Sequence, residues 1–182
     1  GQAIEITKNM RNDRATIFLA FTSNMGTCGI RENIKYLIKN KYVHVLSTTA
    51  GAIEEDIIKC FKPFVLGDFR APGVILREDG INRTGNIFVP NDRYIYFERF
   101  MNKFLNRMLE IQNENKTIIG IREFVYELGR ELELENVENK ESSFTYWAYK
   151  NNLPFFCPAL PDGSLGDMIY FFKKKNPEFK ID

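Results

Sequence analysis

The run Val43-His44-Val45-Leu46-Ser47-Thr48-Thr49-Ala50-Gly51-Ala52-Ile53-Glu54-Glu55-Asp56 sets the architecture of the chain. Val43–Thr48 is apolar enough to predict a buried strand, and the small residues Thr49–Gly51 predict the loop that ends it. A helix is expected next, with Glu54, Glu55 and Asp56 in its first turn, where acidic side chains suit the helix dipole. Its apolar face is predicted to contain Ile53, Ile57, Ile58 and Phe61.

The same strand–loop–helix pattern occurs twice more. Ala15–Phe21 predicts a strand buried on both faces, Thr22–Gly29 a loop, and the spacing of Ile30, Ile34, Leu37 and Ile38 a helix. Near the end, Ser143–Asn151 predicts a helix before a further unit: the strand Leu153–Leu160, the loop Pro161–Ser164 and the helix Leu165–Lys174. Units of this kind favour an α/β fold with a Rossmann-like parallel sheet and flanking helices.

The middle of the chain departs from this pattern. Phe64–Pro90 is rich in Gly and Pro, and Gly85–Pro90 predicts short hairpin strands. A long helix is expected over Arg93–Ile111, and a second one after the candidate N-cap Thr117. We therefore predict one α/β domain over residues 1–182, with residues 64–115 as a hairpin and helical excursion inserted between βα units. The charged run Glu131–Glu141 is expected to be solvated.

Composition limits the classes of function. The 182 residues contain 25 Lys and Arg against 24 Asp and Glu, so no strong field favours nucleic acid or a membrane surface as a partner. Cys28, Cys60 and Cys157 lack the CxxC spacing of zinc sites, which favours reduced thiols and a cytoplasmic location. Since the chain starts at Gly1, its N-terminus is expected to be processed or cut.

Three loops of small residues follow predicted strands: Ser23–Gly29, Thr49–Gly51 and Asp162–Gly166. Ligands of open parallel sheets bind at the carboxyl ends of the strands, where small residues let a phosphate approach backbone amides. These residues could instead serve only as turn residues. No GxGxxG motif is present, so the loops by themselves indicate a nucleotide site only weakly.

Carboxylates are predicted at the same edge of the sheet, namely Glu54, Glu55, Asp162 and Asp167. They could hold ribose hydroxyls or a multiply charged cation through charge-assisted hydrogen bonds. Glu54 and Glu55 could also be an ordinary acidic helix start. Three other residues with reactive or aromatic side chains are expected to have no role in the site: His44 and Trp147 as core residues, and Cys28 as an inert thiol, although it is a better candidate for a reactive thiol than Cys60.

Several runs together resemble deoxyhypusine synthase over nearly the whole chain. They are Thr22–Asn24, Gly29–Glu32, Thr48–Asp56, Asp79–Arg83 and Pro158–Asp167. The resemblance implies a Rossmann-like NAD-binding fold in a homotetramer with active sites shared between subunits. It also implies NAD-dependent transfer of the 4-aminobutyl group of spermidine, through an enzyme lysine, to a lysine of the translation factor five-A precursor.

Carried over by position, the resemblance assigns two groups of residues. NAD would be lined by Ser23, Asn24, Met25, Gly26, Thr27, Thr49, Ala50, Gly51, Glu55 and Asp162. Spermidine would face Glu54, Glu55 and Asp167. No metal is implied.

The chain also departs from the family pattern. Gly26-Thr27-Cys28 differs from the expected pattern, in which a pair made of a larger aliphatic residue and a serine follows Ser-Asn. Family members are considerably longer, and the covalent lysine belongs to their C-terminal half. No catalytic residue is therefore expected within this chain, which we interpret as an inactive fragment, incomplete at its C-terminus. A catalytically dead paralogue that activates a full-length partner is the alternative.

Overall fold

A parallel sheet of three strands lies at the centre of the structure, a computed structural model that describes residues 1–182. The strands are β1 (Phe18–Phe21), β2 (Val45–Thr48) and β6 (Phe155–Phe156), in the order β1-β2-β6. Phe18 pairs with Val45, and Leu46 pairs with Phe155. The predicted α/β fold with a parallel sheet and flanking helices is confirmed.

Helices account for most of the rest of the chain. None of them is both long and apolar enough to cross a membrane. Their bounds are α1 Gln2–Asn12, α2 Ser23–Thr27, α3 Ile30–Lys39, α4 Ala50–Phe61, α5 Gly73–Glu78, α6 Asp92–Asn115, α7 Ile121–Leu134, α8 Phe144–Lys150 and α9 Gly163–Lys175.

A second sheet, antiparallel, is formed between α4 and α6. It contains β3 (Val65–Leu66), β4 (Ile81–Thr84) and β5 (Ile87–Pro90) in the order β3-β5-β4. The hairpin strand expected at Gly85–Pro90 is therefore present. The subsequent helix α6 contributes Phe97 and Phe104 to the main core, where both side chains are fully buried.

The first strand differs from its prediction. Phe18 is 70% exposed and Ala20 is exposed too, so the face of β1 that these alternate residues share is not covered, and β1 is not buried on both faces. His44 is also exposed rather than a core residue, since β2 begins one residue after it. Its Nδ1 accepts a hydrogen bond from the backbone N–H of Ile17 at 2.9 Å. The last strand is confined to Phe155–Phe156, and Pro154 and Pro158 on either side lack the N–H that a ladder needs.

Several helix boundaries also differ. The predicted loop Thr22–Gly29 contains the short helix α2, and α4 begins at Ala50, which moves Glu54–Asp56 out of its first turn. Gly120, and not Thr117, is the N-cap of α7. The run Glu131–Glu141 is not solvated throughout: Glu131 is 3% exposed and pairs with Arg107 of α6 at 2.5 Å. Trp147 is half-buried, and its indole N–H donates to the Glu141 carbonyl.

Asp56 joins three helices through one buried carboxylate. It accepts a hydrogen bond from Arg31 Nε of α3 at 2.8 Å. From the start of α8 it accepts hydrogen bonds from Ser143 Oγ at 2.6 Å and from the backbone N–H of Thr145 at 3.0 Å. Because Asp56 is fully buried and Arg31 nearly so, each charge depends on the other for compensation.

We expect Asp56→Ala to lower the free energy of unfolding by about 3–5 kcal/mol, because it leaves the Arg31 guanidinium buried without its partner. Denaturant unfolding followed by circular dichroism measures this change. Glu32→Ala is the matched control, since Glu32 contacts the same guanidinium at 3.5 Å from an exposed position. It should cost less than about 1 kcal/mol. Equal losses in the two variants would contradict the role of Asp56.

Candidate functional site

The first two strands of the parallel sheet end beside each other and lead directly into helices. Phe21 pairs with Thr48 at these ends, so α2 and α4 begin next to one another. The backbone N–H of Ser23 donates to Thr49 Oγ1 at 3.0 Å, and the two side-chain hydroxyls lie 2.5 Å apart. The first two predicted loops therefore form one continuous surface of small polar residues.

Two glycines allow this close approach of α2 to α4. A Cβ at Gly51 would lie 2.7 Å from Ser23 Oγ, and a Cβ at Gly26 would lie 3.0 Å from the Cβ of Ala52. The two glycines are therefore needed for the packing of α2 against α4. From the sequence they were expected only as turn residues or as residues that let a ligand approach. This packing places the start of α4 directly beside the Ser23 and Thr49 hydroxyls.

Glu54 connects α4 to the third predicted loop. Its carboxylate accepts a hydrogen bond from the backbone N–H of Leu165 at 2.8 Å, at the start of α9. Gly163 has φ +71°, and a Cβ there would lie 2.9 Å from the same carboxylate, so the loop closes tightly over Glu54. Burial, with the nearby charges of Asp162 and Asp167, raises the pKa of Glu54 to about 7 against the opposing effect of the backbone hydrogen bonds.

Glu55 points toward α2 and the second sheet. It accepts hydrogen bonds from the Thr27 hydroxyl and, at 3.4 Å, from Thr84 Oγ1 of β4. Burial and the neighbouring Glu54 raise the pKa of Glu55 to about 7. Thr27 thus supplies a hydroxyl to the site although the Gly26-Thr27-Cys28 run departs from the family pattern.

The two aspartates are more exposed than the glutamates. Asp162 is the N-cap of α9 and accepts the backbone N–H of Gly163 at 3.0 Å. Asp167, on α9, lines a cavity of about 390 Å³ together with Tyr94 and Ser164. Asp162 and Asp167 both act on the Glu54 carboxyl, so the third loop belongs to the same region as the first two.

The remaining predicted site residues have weaker connections to the rest of the site. Asn24 is exposed and its side chain makes no hydrogen bond to protein, and Met25 is 39% exposed. Ala50 is fully buried at the first position of α4, so neither its side chain nor its backbone is exposed there. Cys28 is half-buried with its sulfur 3.7 Å from the Met25 carbonyl, and its expected inertness stays a prediction.

Three contributors were missed from the sequence. Tyr94 of α6 faces the two glutamates, and burial, with their charges, raises the pKa of its phenol to about 12. Lys59, one turn after Glu55, donates to the Thr27 carbonyl, and Thr84 contacts Glu55 from the second sheet. The spacing of Lys59 on α4 was a usable signal, because positions four apart share a helix face. Nothing local indicates Tyr94 or Thr84, which come from distant segments.

The chemical capacity of this region follows from its charges. Two carboxyl groups with raised pKa values and two exposed aspartates gain from a bound cation, which would stabilise their ionised forms. Carboxylate oxygens also accept hydrogen bonds from hydroxyl groups such as those of a ribose. No group of three or more metal-ligating side chains comes together in the structure.

Comparison with known proteins gives a consistent assignment. The sequence model of the family described as deoxyhypusine synthase matches residues 1–182. A Methanocaldococcus jannaschii protein named "Probable deoxyhypusine synthase" is 52% identical over 190 residues, covering 100% of this chain and 58% of the relative. "Deoxyhypusine synthase" of Nicotiana tabacum is 48% identical over 164 residues, covering 89% of this chain and 42% of the relative.

A solved structure agrees with these relatives. The crystal structure of an Entamoeba histolytica protein assigned to deoxyhypusine synthase has a TM-score of 0.70 and 30% identity, covering 92% of this chain and 49% of that one. This chain thus spans between 42% and 58% of the length of the three similar proteins. The resemblance seen in the sequence is confirmed: the chain belongs to the deoxyhypusine synthase family.

Proposed function

We propose that this chain forms the NAD-binding and polyamine-binding part of a deoxyhypusine synthase. The reaction transfers the 4-aminobutyl group of spermidine to a lysine of the translation factor five-A precursor. One observation carries the proposal: Glu54 and Glu55, with raised pKa values, lie next to the small-residue starts of α2 and α4. Family membership supports the choice of reaction.

The residues at the starts of α2 and α4 suit a dinucleotide. The first N–H groups of a helix lack partners within it, and in α4 the Ala52 N–H donates to the Thr49 carbonyl at 3.1 Å, which leaves those of Ala50 and Gly51. The missing Cβ of Gly51 makes room for the Ser23 hydroxyl next to them. These N–H groups and the helix dipole would hold the pyrophosphate, with the hydroxyls of Ser23 and Thr49 beside it. Glu55 would accept a ribose hydroxyl. NAD, when bound, supplies the hydride acceptor for oxidation of the polyamine.

The acidic residues suit spermidine, which carries several ammonium groups. Glu54 and Glu55 would face these ammonium groups, and Asp167 lies on the adjacent cavity wall with room for the extended chain. The cation would restore the ionised state that burial disfavours in Glu54. We assign no residue of this chain to the covalent step, and we place the complete protein in the cytoplasm as a homotetramer.

Deoxyhypusine formation from spermidine and the precursor protein, measured with and without NAD, tests the proposed reaction in the complete protein. NAD-dependent incorporation of label from spermidine into the precursor is the expected result. Incorporation that is equal without NAD, or absent from a protein that binds both ligands, would contradict the proposal.

Gly51→Ala should weaken NAD binding at least about tenfold, a loss of about 1.4 kcal/mol, because the new Cβ must displace the Ser23 hydroxyl. Isothermal titration calorimetry with NAD measures the affinity. Gly120→Ala is the control, since a Cβ there meets no atom within 4 Å. Unchanged NAD affinity in Gly51→Ala would place the cofactor elsewhere.

Asp167→Asn should weaken spermidine binding about tenfold and leave NAD binding within about twofold, because only the polyamine needs the lost charge. Separate calorimetric titrations with the two ligands measure the difference. Asp68→Asn, an exposed aspartate outside the site, is the matched control. Equal losses for NAD and spermidine would reject the assignment of Asp167 to the polyamine.

Spermidine affinity should rise with pH between pH 6 and 8. Glu54 and Glu55 titrate at about pH 7, so below that pH their ionisation costs up to about tenfold in affinity per group and per pH unit. The amines of spermidine stay charged over this range. Calorimetry in two buffers of different ionisation enthalpy should detect proton release on binding.

Glu54→Gln removes one of the two groups and should make this pH dependence shallower. The glutamine can still accept the hydrogen bond from Leu165, so the contact between α4 and α9 is kept. Equal wild-type affinities at pH 6 and pH 8 would show that neither glutamate faces the polyamine.

A further inference from the structure

Thr84 brings the second sheet into contact with the candidate site. It is the last residue of β4, it is half-buried, and its Oγ1 lies 3.4 Å from Glu55 Oε1. We propose that Thr84 is a positioning residue, through which the β4–β5 hairpin orients the Glu55 carboxylate. The functional consequence rests on the proposed role of Glu55 in binding NAD.

The hairpin is built to hold Thr84 in one place. Thr84 pairs with Ile87 across the two-residue turn Gly85–Asn86, and Gly85 has φ +60°, as the first central position of a type II′ turn requires. Arg83, next to it, donates to the Ala71 carbonyl at 2.7 Å. The backbone position of Thr84 is therefore set by the sheet and its connecting segment, which are separate from α4.

The Glu55 carboxylate is held at both of its oxygens by different elements. Thr27 of α2 donates to Oε2, and Thr84 of β4 donates to Oε1. Two donors on opposite oxygens define the plane of the carboxylate. Since each oxygen has two lone pairs, acceptor capacity remains for a ligand hydroxyl.

The groups around Glu55 explain why its carboxylate needs the hydrogen bond from Thr84. The titratable groups that face Glu55 are Glu54 and Lys59 from its own helix and Tyr94 from α6. Glu54 and burial disfavour the ionised carboxylate, whereas Lys59 and the Thr84 hydrogen bond favour it. Loss of the Thr84 hydroxyl should therefore raise the pKa of Glu55 and release one carboxylate oxygen.

Thr84→Val, which replaces the hydroxyl by a methyl group of similar size, tests the inference directly. The Glu55 titration midpoint should rise by about 0.5 pH or more, as expected for loss of one modest hydrogen bond to the charged form. Carbon-13 NMR of carboxyl-labelled glutamate in the ligand-free protein measures the midpoint, with the Glu55 signal identified by its absence from Glu55→Gln.

Thr84→Ser should restore the wild-type midpoint, since it keeps the hydroxyl, and it also serves if the valine variant is unstable. Thr117→Val, an exposed threonine between α6 and α7, should leave the midpoint unchanged. A merely structural role of Thr84 would change thermal stability without moving the Glu55 titration.

NAD titrations of the same variants separate this inference from the proposed function. Binding by Thr84→Val should be weakened more at pH 6.5 than at pH 8.5, about twofold or more in ratio, because less of the Glu55 carboxyl is ionised in this variant at the lower pH. An unshifted Glu55 midpoint in Thr84→Val overturns the inference whatever the NAD result. A shifted midpoint in a wild-type protein that binds no NAD supports the positioning of Glu55 by Thr84 and refutes the cofactor assignment instead.

Discussion

Three consecutive acidic residues on one turn of α4 connect this helix to the elements around it. Asp56 points to α3 and α8, Glu54 to the start of α9, and Glu55 to α2 and β4. Successive positions on a helix are separated by about 100° around its axis, so adjacent carboxylates necessarily face different neighbours. The packing of both halves of the chain against α4 depends on this divergence.

The negative charges of the three carboxylates are compensated to different degrees. This difference distinguishes Asp56, which stabilises the fold, from Glu54, which is a candidate binding residue. Asp56 is fully buried and receives a guanidinium, a hydroxyl and backbone N–H donors. Glu54 is almost as buried, but its compensation consists of backbone hydrogen bonds without any cationic side chain, and its pKa is raised to about 7. A carboxyl group in that condition gains free energy when a cation arrives, which is the physical basis for placing a polyamine there.

Patterns of short range predicted much of the fold. The apolar run before Thr49 and the spacing of Ile53, Ile57 and Ile58 identified β2 and α4, because burial on a parallel sheet imposes that hydrophobic pattern. Burial of β1 and His44 could not be predicted in this way. Whether another element covers a given face of a strand depends on contacts with segments distant in the chain, which a local pattern does not encode.

In the candidate site, too, some features follow from local sequence patterns and others depend on contacts between distant segments. Local sequence patterns identified which residue types lie at the strand ends: small residues in the βα connections, with Glu54, Glu55, Asp162 and Asp167 close behind them. Tertiary packing sets the environments of these residues, since Glu54 is buried beneath the start of α9 while Asp167 stays exposed. It also brought Thr84 and Tyr94 to Glu55, because hydrogen bonding and desolvation depend on distances in space that separation along the chain does not encode.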